Sequence, residues 1–91
     1  MTGSKCHIVG IILRRRGVGG GRLSEQTIRD QYPKNVNNKS AADALDDACN
    51  GLGFLDRGPG GVCIPSGRKQ DVTKFLRDNC KEKYSVLKRY L

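Results

Sequence analysis

The side chains of this 91-residue chain that could bind a ligand are mainly basic. There are 17 lysines and arginines against 9 aspartates and glutamates, which gives a formal net charge of +8 and an isoelectric point near 9.7. Both basic side chains bind phosphate, lysine as a compact charge and arginine through paired hydrogen bonds. An excess of this size predicts a polyanionic partner, with nucleic acid first and an anionic membrane surface second.

The basic residues are concentrated at the two ends of the chain. Residues 1–23 hold five bases and no acid, and residues 68–91 hold eight bases against three acids. Residues 24–55 instead hold three bases and five acids. The basic N-terminal segment includes three consecutive arginines: Arg14, Arg15 and Arg16. Neighbouring residues point in different directions around a helix, and we expect at least one of these arginines to contact phosphate.

Residues suited to catalysis or to metal binding are few. The single histidine, His7, adjoins Cys6, and neighbours on a helix do not face each other as a nucleophile and its base must. The glycine-rich loop at residues 17–21 lacks the spacing of a nucleotide-binding P-loop, which favours a simple connection. We therefore predict a protein with no enzymatic activity and no cofactor or metal.

The four cysteines contain no CxxC pair, and residues 1–7 lack the features of a secretory signal. We expect free and mostly buried thiols, with a zinc site formed by Cys6, His7 and the other thiols as the alternative. No apolar run approaches the roughly 18 residues of a membrane span. These features predict a cytoplasmic protein.

Apolar spacing and turn residues predict the elements of the first two thirds of the chain. Residues 3–16 suit a helix closed by Gly17, although their β-branched content also allows a buried strand. Ser24 is a good N-cap for a second helix over residues 25–31, after a very short strand at Arg22 and Leu23. A polar turn follows, and a third helix capped by Asn38 or Ser40 carries one apolar stripe.

The last third predicts a β-hairpin and a helix. Strands at residues 54–57 and 62–65 flank a flexible tip. Residues 68–90 repeat apolar residues at helical spacing, which predicts one amphipathic helix of roughly 34 Å at about 1.5 Å per residue. No linker interrupts the chain, so residues 1–91 form a single predicted domain, with the core and hairpin in 4–65 and the helix in 68–91. The predicted fold class is α+β and mainly α.

The order of these elements resembles the winged helix-turn-helix superfamily. Residues 24–32 correspond to the first helix of the motif. The turn is residues 35–39, and the recognition-type helix is residues 40–52. The run Leu52-Gly53-Phe54-Leu55-Asp56-Arg57, which leads into Gly58 to Gly61 and then Val62-Cys63-Ile64, looks like the entry into the family's hairpin, or wing. The resemblance covers about residues 4–65, and a long C-terminal helix is a common addition.

The resemblance implies a three-helix core whose third helix enters the DNA major groove while the wing meets the backbone. At the start of that helix, Asn37, Asn38, Lys39, Ser40 and Asp43 would face bases or phosphates. With the basic ends included, the predicted DNA-binding residues are Arg14, Arg15, Arg16, Arg22, Asn37, Asn38, Lys39, Ser40, Arg57, Arg68 and Lys69. The predicted function is that of a small regulator of transcription that binds double-stranded DNA.

Three carboxylates on the third helix depart from this pattern. Asp43, Asp46 and Asp47 would repel phosphates, so either only the first turn enters the groove or the motif serves another contact and the basic ends bind nucleic acid. The alternative function is a protein-interaction module whose acidic third helix binds a basic partner. Binding of RNA is a further alternative, which the sequence separates poorly from DNA binding.

The end of the C-terminal helix predicts a homodimer. If its inner turns pack on the first helix, its outer turns lack a core of their own to cover them. These turns contain apolar and aromatic side chains: Tyr84, Leu87, Tyr90 and Leu91.

Overall fold

The structure is a computed structural model that describes residues 3–33 and 39–91. In chain order its elements are α1 (Gly3–Arg16), α2 (Glu25–Gln31), α3 (Ala41–Gly51), β1 (Asp56–Gly58), β2 (Gly61–Cys63), a 3-10 turn (Ser66–Arg68), α4 (Lys69–Asn79), α5 (Lys81–Leu87) and a second 3-10 turn (Lys88–Tyr90). The chain is thus mainly helical with a small antiparallel sheet, which confirms the predicted α+β, mainly α class.

The central element is α1, and the alternative of a buried strand is wrong. Its β-branched residues are buried on several sides at once, because α2, α3, α5 and β2 all pack around it. Ile8, Val9 and Ile12 have no exposed surface. The helix ends as predicted at Gly17, whose φ of 68° is favourable for glycine and whose N–H donates to the Leu13 carbonyl at 2.9 Å.

Local caps start the next two helices where the sequence predicts them. The Ser24 hydroxyl accepts from the Thr27 N–H, and the Ser40 hydroxyl accepts from the Asp43 N–H, each at 3.1 Å. In α3 the small side chains of Ala44 and Ala48 are fully buried, which lets the helix approach α1 closely. Part of the predicted turn before α3, including Asn37 and Asn38, lies outside the described residues.

The hairpin forms, but its strands are shorter than predicted and shifted toward its tip. Arg57 lies opposite Val62, and only Pro59 and Gly60 separate the two strands. Phe54 does not join the first strand, because its buried ring packs on Phe75 at 5.7 Å between centroids. A bridge from Leu23 to Val62, with both N–H···O distances at 2.9 Å, confirms the very short first strand.

The prediction of one continuous C-terminal helix is wrong. The helix is interrupted at Cys80, whose backbone φ of −130° and ψ of 46° are not helical. Cys80 forms a disulfide with Cys6 of α1, with Cα atoms 5.9 Å apart. The break turns α5 back onto α1, so that a Cβ added to Gly10 would lie 3.4 Å from a methyl group of Leu87.

The expectation of four free thiols is therefore wrong for Cys6 and Cys80. It is correct for Cys49 and Cys63, which are free and half-buried. Spacing gave no sign of the disulfide because the two bonded cysteines are 74 residues apart.

The reason for expecting a homodimer is also wrong. Leu87 has no exposed surface, and the other side chains of the predicted dimer surface, Tyr84, Tyr90 and Leu91, pack against the same core. Because α5 folds back at Cys80, the chain buries Leu87 fully and the other three side chains partly, and the homodimer itself stays a prediction. Among the described residues, only Val86 is a large exposed apolar side chain, at 51 % exposure.

Candidate nucleic-acid interface

Arg22, one of the predicted DNA contacts, lies across the hairpin and holds it together. Its guanidinium donates to the carbonyl oxygens of Asp56 at 2.7 Å and Gly61 at 3.1 Å, and pairs with the Asp56 carboxylate at 2.9 Å. A Cβ on Gly58 would lie 3.2 Å from this guanidinium, so the glycine leaves room for it. The side chain is thus used within the protein to position the hairpin.

Arg57 joins three elements through two carboxylates. From β1 it donates to both oxygens of Glu25 at the start of α2, at 2.8 and 2.9 Å, and to Asp46 of α3 at 2.7 Å. These hydrogen bonds lower the pKa of Glu25 and raise that of Arg57. A phosphate that bound Arg57 would have to compete with both carboxylates, so its predicted contact with the DNA backbone gains no support from this geometry.

The acidic face of α3 is largely neutralised. Asp46 pairs with Arg57, and Asp47 pairs with Lys39, which lowers the pKa of Asp47 and raises that of Lys39. The Asp43 carboxylate makes no ion pair with any described residue. Of the three carboxylates expected to repel DNA, Asp43 is therefore the one that no ion pair with a described residue compensates.

The three arginines at the end of α1 are exposed and point in different directions, as predicted. Arg16 Nε donates to the Arg22 carbonyl at 3.4 Å. The Gln31 side-chain amide lies against Arg15. With its oxygen turned toward the guanidinium, it accepts a hydrogen bond from Arg15 Nε at 2.8 Å. Arg14 makes no hydrogen bond or ion pair within the described part of the chain, so it is the most available of the three.

Beyond the hairpin, Arg68 and Lys69 differ in availability. Arg68 pairs with Asp71 at 2.6 Å, whereas Lys69 makes no ion pair among the described residues. Lys69 lines an open groove on the outer face of α4 together with Gln70, Thr73, Lys74 and Arg77. Lys74 and Arg77 are not among the predicted site residues, although their spacing from the buried Val72 and Leu76 places them on the outer face.

Among residues 3–33 and 39–91, five acids form ion pairs and most cations form none. The cations that make no ion pair among the described residues are Lys5, Arg14, Arg15, Arg16, Lys69, Lys74, Arg77, Lys81, Lys83, Lys88 and Arg89. All of them lie on α1, α4, α5 and the last turn. The positive charge available to a partner is therefore larger at these elements than at α3 or the hairpin.

The ion pair between Glu25 and Arg57 predicts sensitivity to acid. Because the fold lowers the pKa of Glu25, the pair stabilises the protein above the ordinary pKa of glutamate and is lost as the pH falls below about 4. We expect Glu25→Gln to lower the free energy of unfolding by no more than about 1 kcal/mol at pH 7, since the pair is partly exposed. Urea unfolding at pH 7 and pH 3 measures this, and the difference from the wild type should shrink at pH 3.

The matched control is Glu82→Gln, because Glu82 is an exposed acid without an ion pair among the described residues. Its effect should be close to zero at both pH values. A Glu25→Gln difference that is equal at pH 7 and pH 3 would contradict the prediction.

Neither a metal centre nor a membrane span is found in the described part of the chain. Residues 3–33 and 39–91 contain no group of three or more histidine, cysteine, aspartate or glutamate side chains placed to hold a metal ion, so the alternative zinc site at Cys6 and His7 is not formed. No helix in these ranges is both long enough and apolar enough to cross a membrane.

No protein-family model matches the chain, and comparisons with curated proteins and with solved structures give no match.

Proposed function

We propose that this chain is a winged helix-turn-helix domain that binds double-stranded DNA and regulates transcription. The observation that carries the proposal is the order α1, short strand, α2, α3, β1, β2, together with the bridge from Leu23 to Val62 that joins the short strand to the hairpin. In this arrangement α3 is packed on α1 by one stripe and keeps an exposed face. An exposed helix beside a β-hairpin suits a major groove and its flanking backbone.

The charges support the same function. The ion pairs of Asp46 and Asp47 reduce the repulsion that the acidic face of α3 would otherwise exert on phosphates. The unpaired cations supply the sequence-independent attraction that provides most of the affinity of non-specific DNA binding. Arg22 and Arg57 have a positioning role in this proposal, because their hydrogen bonds hold the hairpin, α2 and α3 together.

The first experiment is a salt series with mixed-sequence duplex DNA, measured by fluorescence anisotropy. The logarithm of the affinity should fall with the logarithm of the salt concentration, by about 0.9 for each phosphate that the protein neutralises. We expect a slope that corresponds to several phosphates. No binding at about 50 mM salt would contradict the proposal.

The contribution of α3 is tested by Asp43→Lys. Asp43 is exposed, and its carboxylate makes no ion pair among the described residues, so the substitution removes repulsion and breaks no ion pair, although it also removes an electrostatic attraction to Lys39. We expect duplex affinity at about 50 mM salt to rise by roughly three- to tenfold and the salt slope to steepen by about one contact. The matched control is Asp78→Lys, which makes the same change of charge at an exposed position on α4.

Equal gains from the two substitutions would show that α3 does not face the duplex. The RNA alternative is tested with an RNA duplex of the same length. Tighter binding of the RNA than of the DNA at the same salt concentration would favour that alternative.

A further inference from the structure

The break between α4 and α5 is confined to one residue. α4 ends at Asn79, α5 begins at Lys81, and Cys80 lies between them. The Cys80 N–H donates to the Leu76 carbonyl at 2.8 Å, and the Cys80 carbonyl accepts from the Tyr84 N–H at 2.9 Å. Both bonds have the four-residue spacing that a residue inside an α-helix makes on either side. A continuous helix over residues 69–87 therefore differs from the observed backbone mainly at Cys80.

The local sequence does not require this break. Residues 69–91 contain neither proline nor glycine, and within the described part of the chain the Cys80 side chain makes no capping hydrogen bond to α5. Buried residues recur at helical spacing on both sides of the break: Val72, Leu76, Cys80 and Leu87. The break therefore depends on tertiary contacts, which are the disulfide to Cys6 and the packing of α5 on α1.

The contact of α5 with α1 includes Leu87 and Gly10. Leu87 has no exposed surface, and a Cβ on Gly10 would lie 3.4 Å from one of its methyl groups. α5 has seven residues, which is too short for a helix that is stable by itself. Once the disulfide is open, α5 can leave α1 without loss only if Leu87 reaches an equivalent apolar surface. A second copy of the chain offers the identical surface around its own Gly10.

We propose that reduction of the Cys6–Cys80 disulfide lets two copies of this chain exchange α5. Each α5 then packs on α1 of the partner and continues its own α4 as one helix. Exchange of an identical element recovers in the dimer the contacts that the monomer loses, so its cost is low. The dimer also gains the helical hydrogen bonds that the break interrupts. With the disulfide intact, Cys80 is bonded to Cys6 of its own chain, which fixes the start of α5 against its own α1.

The reductant in this proposal is a dithiol. It gives two electrons and two protons to the Cys6–Cys80 disulfide, whose sulfur–sulfur bond breaks to leave two thiols, and its own two sulfurs join in a disulfide. The bonded cysteines are 3 % and 5 % exposed, so the dithiol reaches them when α5 opens from α1. Reduction and exchange therefore start from the same opening.

The first test compares the mass of the oxidised and the reduced wild type by light scattering after size-exclusion chromatography. We expect the oxidised protein to remain at 10.0 kDa from low to high micromolar concentration. With dithiothreitol, the mass at high micromolar concentration should rise about twofold, and circular dichroism should show no loss of helix. The variant Cys6→Ala/Cys80→Ala should dimerise without a reductant. The matched control Cys49→Ala/Cys63→Ala, which keeps the disulfide, should behave like the wild type.

Amide hydrogen exchange tests whether the two helices join. Lys81 and Glu82 begin α5, and the first N–H groups of a helix have no acceptor within it. In a continuous helix both N–H groups gain an acceptor, so their exchange in the reduced dimer should slow by at least about tenfold relative to the oxidised monomer. The N–H of Lys74, which lies inside α4 in both states, is the internal reference.

A proline at Lys81 separates exchange of α5 from an ordinary side-by-side dimer. Proline fits the first position of a helix but not its interior. Cys6→Ala/Cys80→Ala/Lys81→Pro should therefore be a folded monomer, whereas Cys6→Ala/Cys80→Ala/Lys81→Ala, which removes the same charge, should dimerise. Lys81 is exposed, so neither substitution removes a buried side chain.

Several results would overturn the inference. These are a reduced wild type that unfolds or stays monomeric at high micromolar concentration, an oxidised wild type that dimerises equally, and a reduced dimer in which Lys81 and Glu82 exchange as fast as before. A dimer of the proline variant would also overturn it, because such a dimer needs no continuous helix. If the proline variant unfolds, hydrogen exchange of the reduced wild type decides. None of these measurements involves DNA, so their outcome is independent of the proposed function.

Discussion

Replacing Cys6 and Cys80 together with alanine should lower the free energy of unfolding by about 4 kcal/mol. The disulfide closes a loop that spans a sequence separation of 74 residues, and in the chain-entropy treatment a cross-link of this length restricts the unfolded state by about that amount. This is a large part of the 5 to 15 kcal/mol that is typical of a small domain. Urea unfolding of the oxidised wild type and the double variant measures the difference.

The matched control is the variant Cys49→Ala/Cys63→Ala, which removes the two free and half-buried thiols. We expect it to lower the free energy of unfolding by about 1 kcal/mol or less, because it removes no covalent cross-link. Reduction of the wild type with dithiothreitol should reproduce the loss seen in Cys6→Ala/Cys80→Ala. Four reactive thiols in the native protein, counted by mass spectrometry after alkylation, would contradict the prediction.

The disulfide also bears on the predicted cytoplasmic location, which stays a prediction. Cytosolic thiol systems reduce most disulfides, and disulfides persist mainly in oxidising compartments. The Cys6–Cys80 disulfide therefore argues against that location. In a reducing compartment the protein would lose this stabilisation and the tie that holds α5 on α1.

The substitution Gly61→Ala should cost about 3 kcal/mol or more and disrupt the junction between the hairpin and α2. Gly61 has a φ of 129°, and a Cβ there would lie 2.0 Å from the carbonyl oxygen of Leu23. Both the backbone conformation and the contact with backbone atoms oppose a side chain. Relief requires that Leu23 move away from Val62, which breaks the bridge between the short strand and the hairpin.

Gly21→Ala is the matched control, because Gly21 is exposed and a Cβ there would meet no atom within 4 Å. We expect its effect on stability to stay within about 1 kcal/mol. Urea unfolding compares the two variants, and amide hydrogen exchange at Leu23 and Val62 reports whether the bridge opens. Equal stability of Gly61→Ala and Gly21→Ala would contradict the prediction.

The same disruption should weaken duplex binding if the proposed function is correct. The bridge between Leu23 and Val62 sets the hairpin beside the start of α2, and the proposed interface combines the hairpin with α3. Anisotropy at about 50 mM salt should therefore show a lower affinity for Gly61→Ala than for Gly21→Ala, measured at a temperature where both variants are folded.

Much of the secondary structure could be predicted because it depends on neighbours in sequence. The N-caps Ser24 and Ser40 each bond an N–H three residues ahead, and Gly17 ends α1 with a bond to the carbonyl four residues before it. Such contacts need no knowledge of the rest of the chain. The net charge of the chain could also be predicted, because it follows from counting residues.

The roles of individual charges could not be predicted. Arg22 and Arg57 were predicted to contact DNA, whereas they bond within the protein to partners between 11 and 39 residues away in sequence. The sequence shows that a side chain is charged, but it does not show whether that side chain faces solvent or a carboxylate. Which of the two it faces depends on how α2, α3 and the hairpin pack together.

The sequence by itself therefore determined the class of fold, the start of most helices and the excess of positive charge, since each follows from local bonding or from counting. Only the tertiary structure decided that Cys6 bonds Cys80, that the last helix breaks there, and that α5 packs along α1. The physical reason is that these features join residues far apart in the chain. Such contacts form only when the packing of the whole core brings the two segments together.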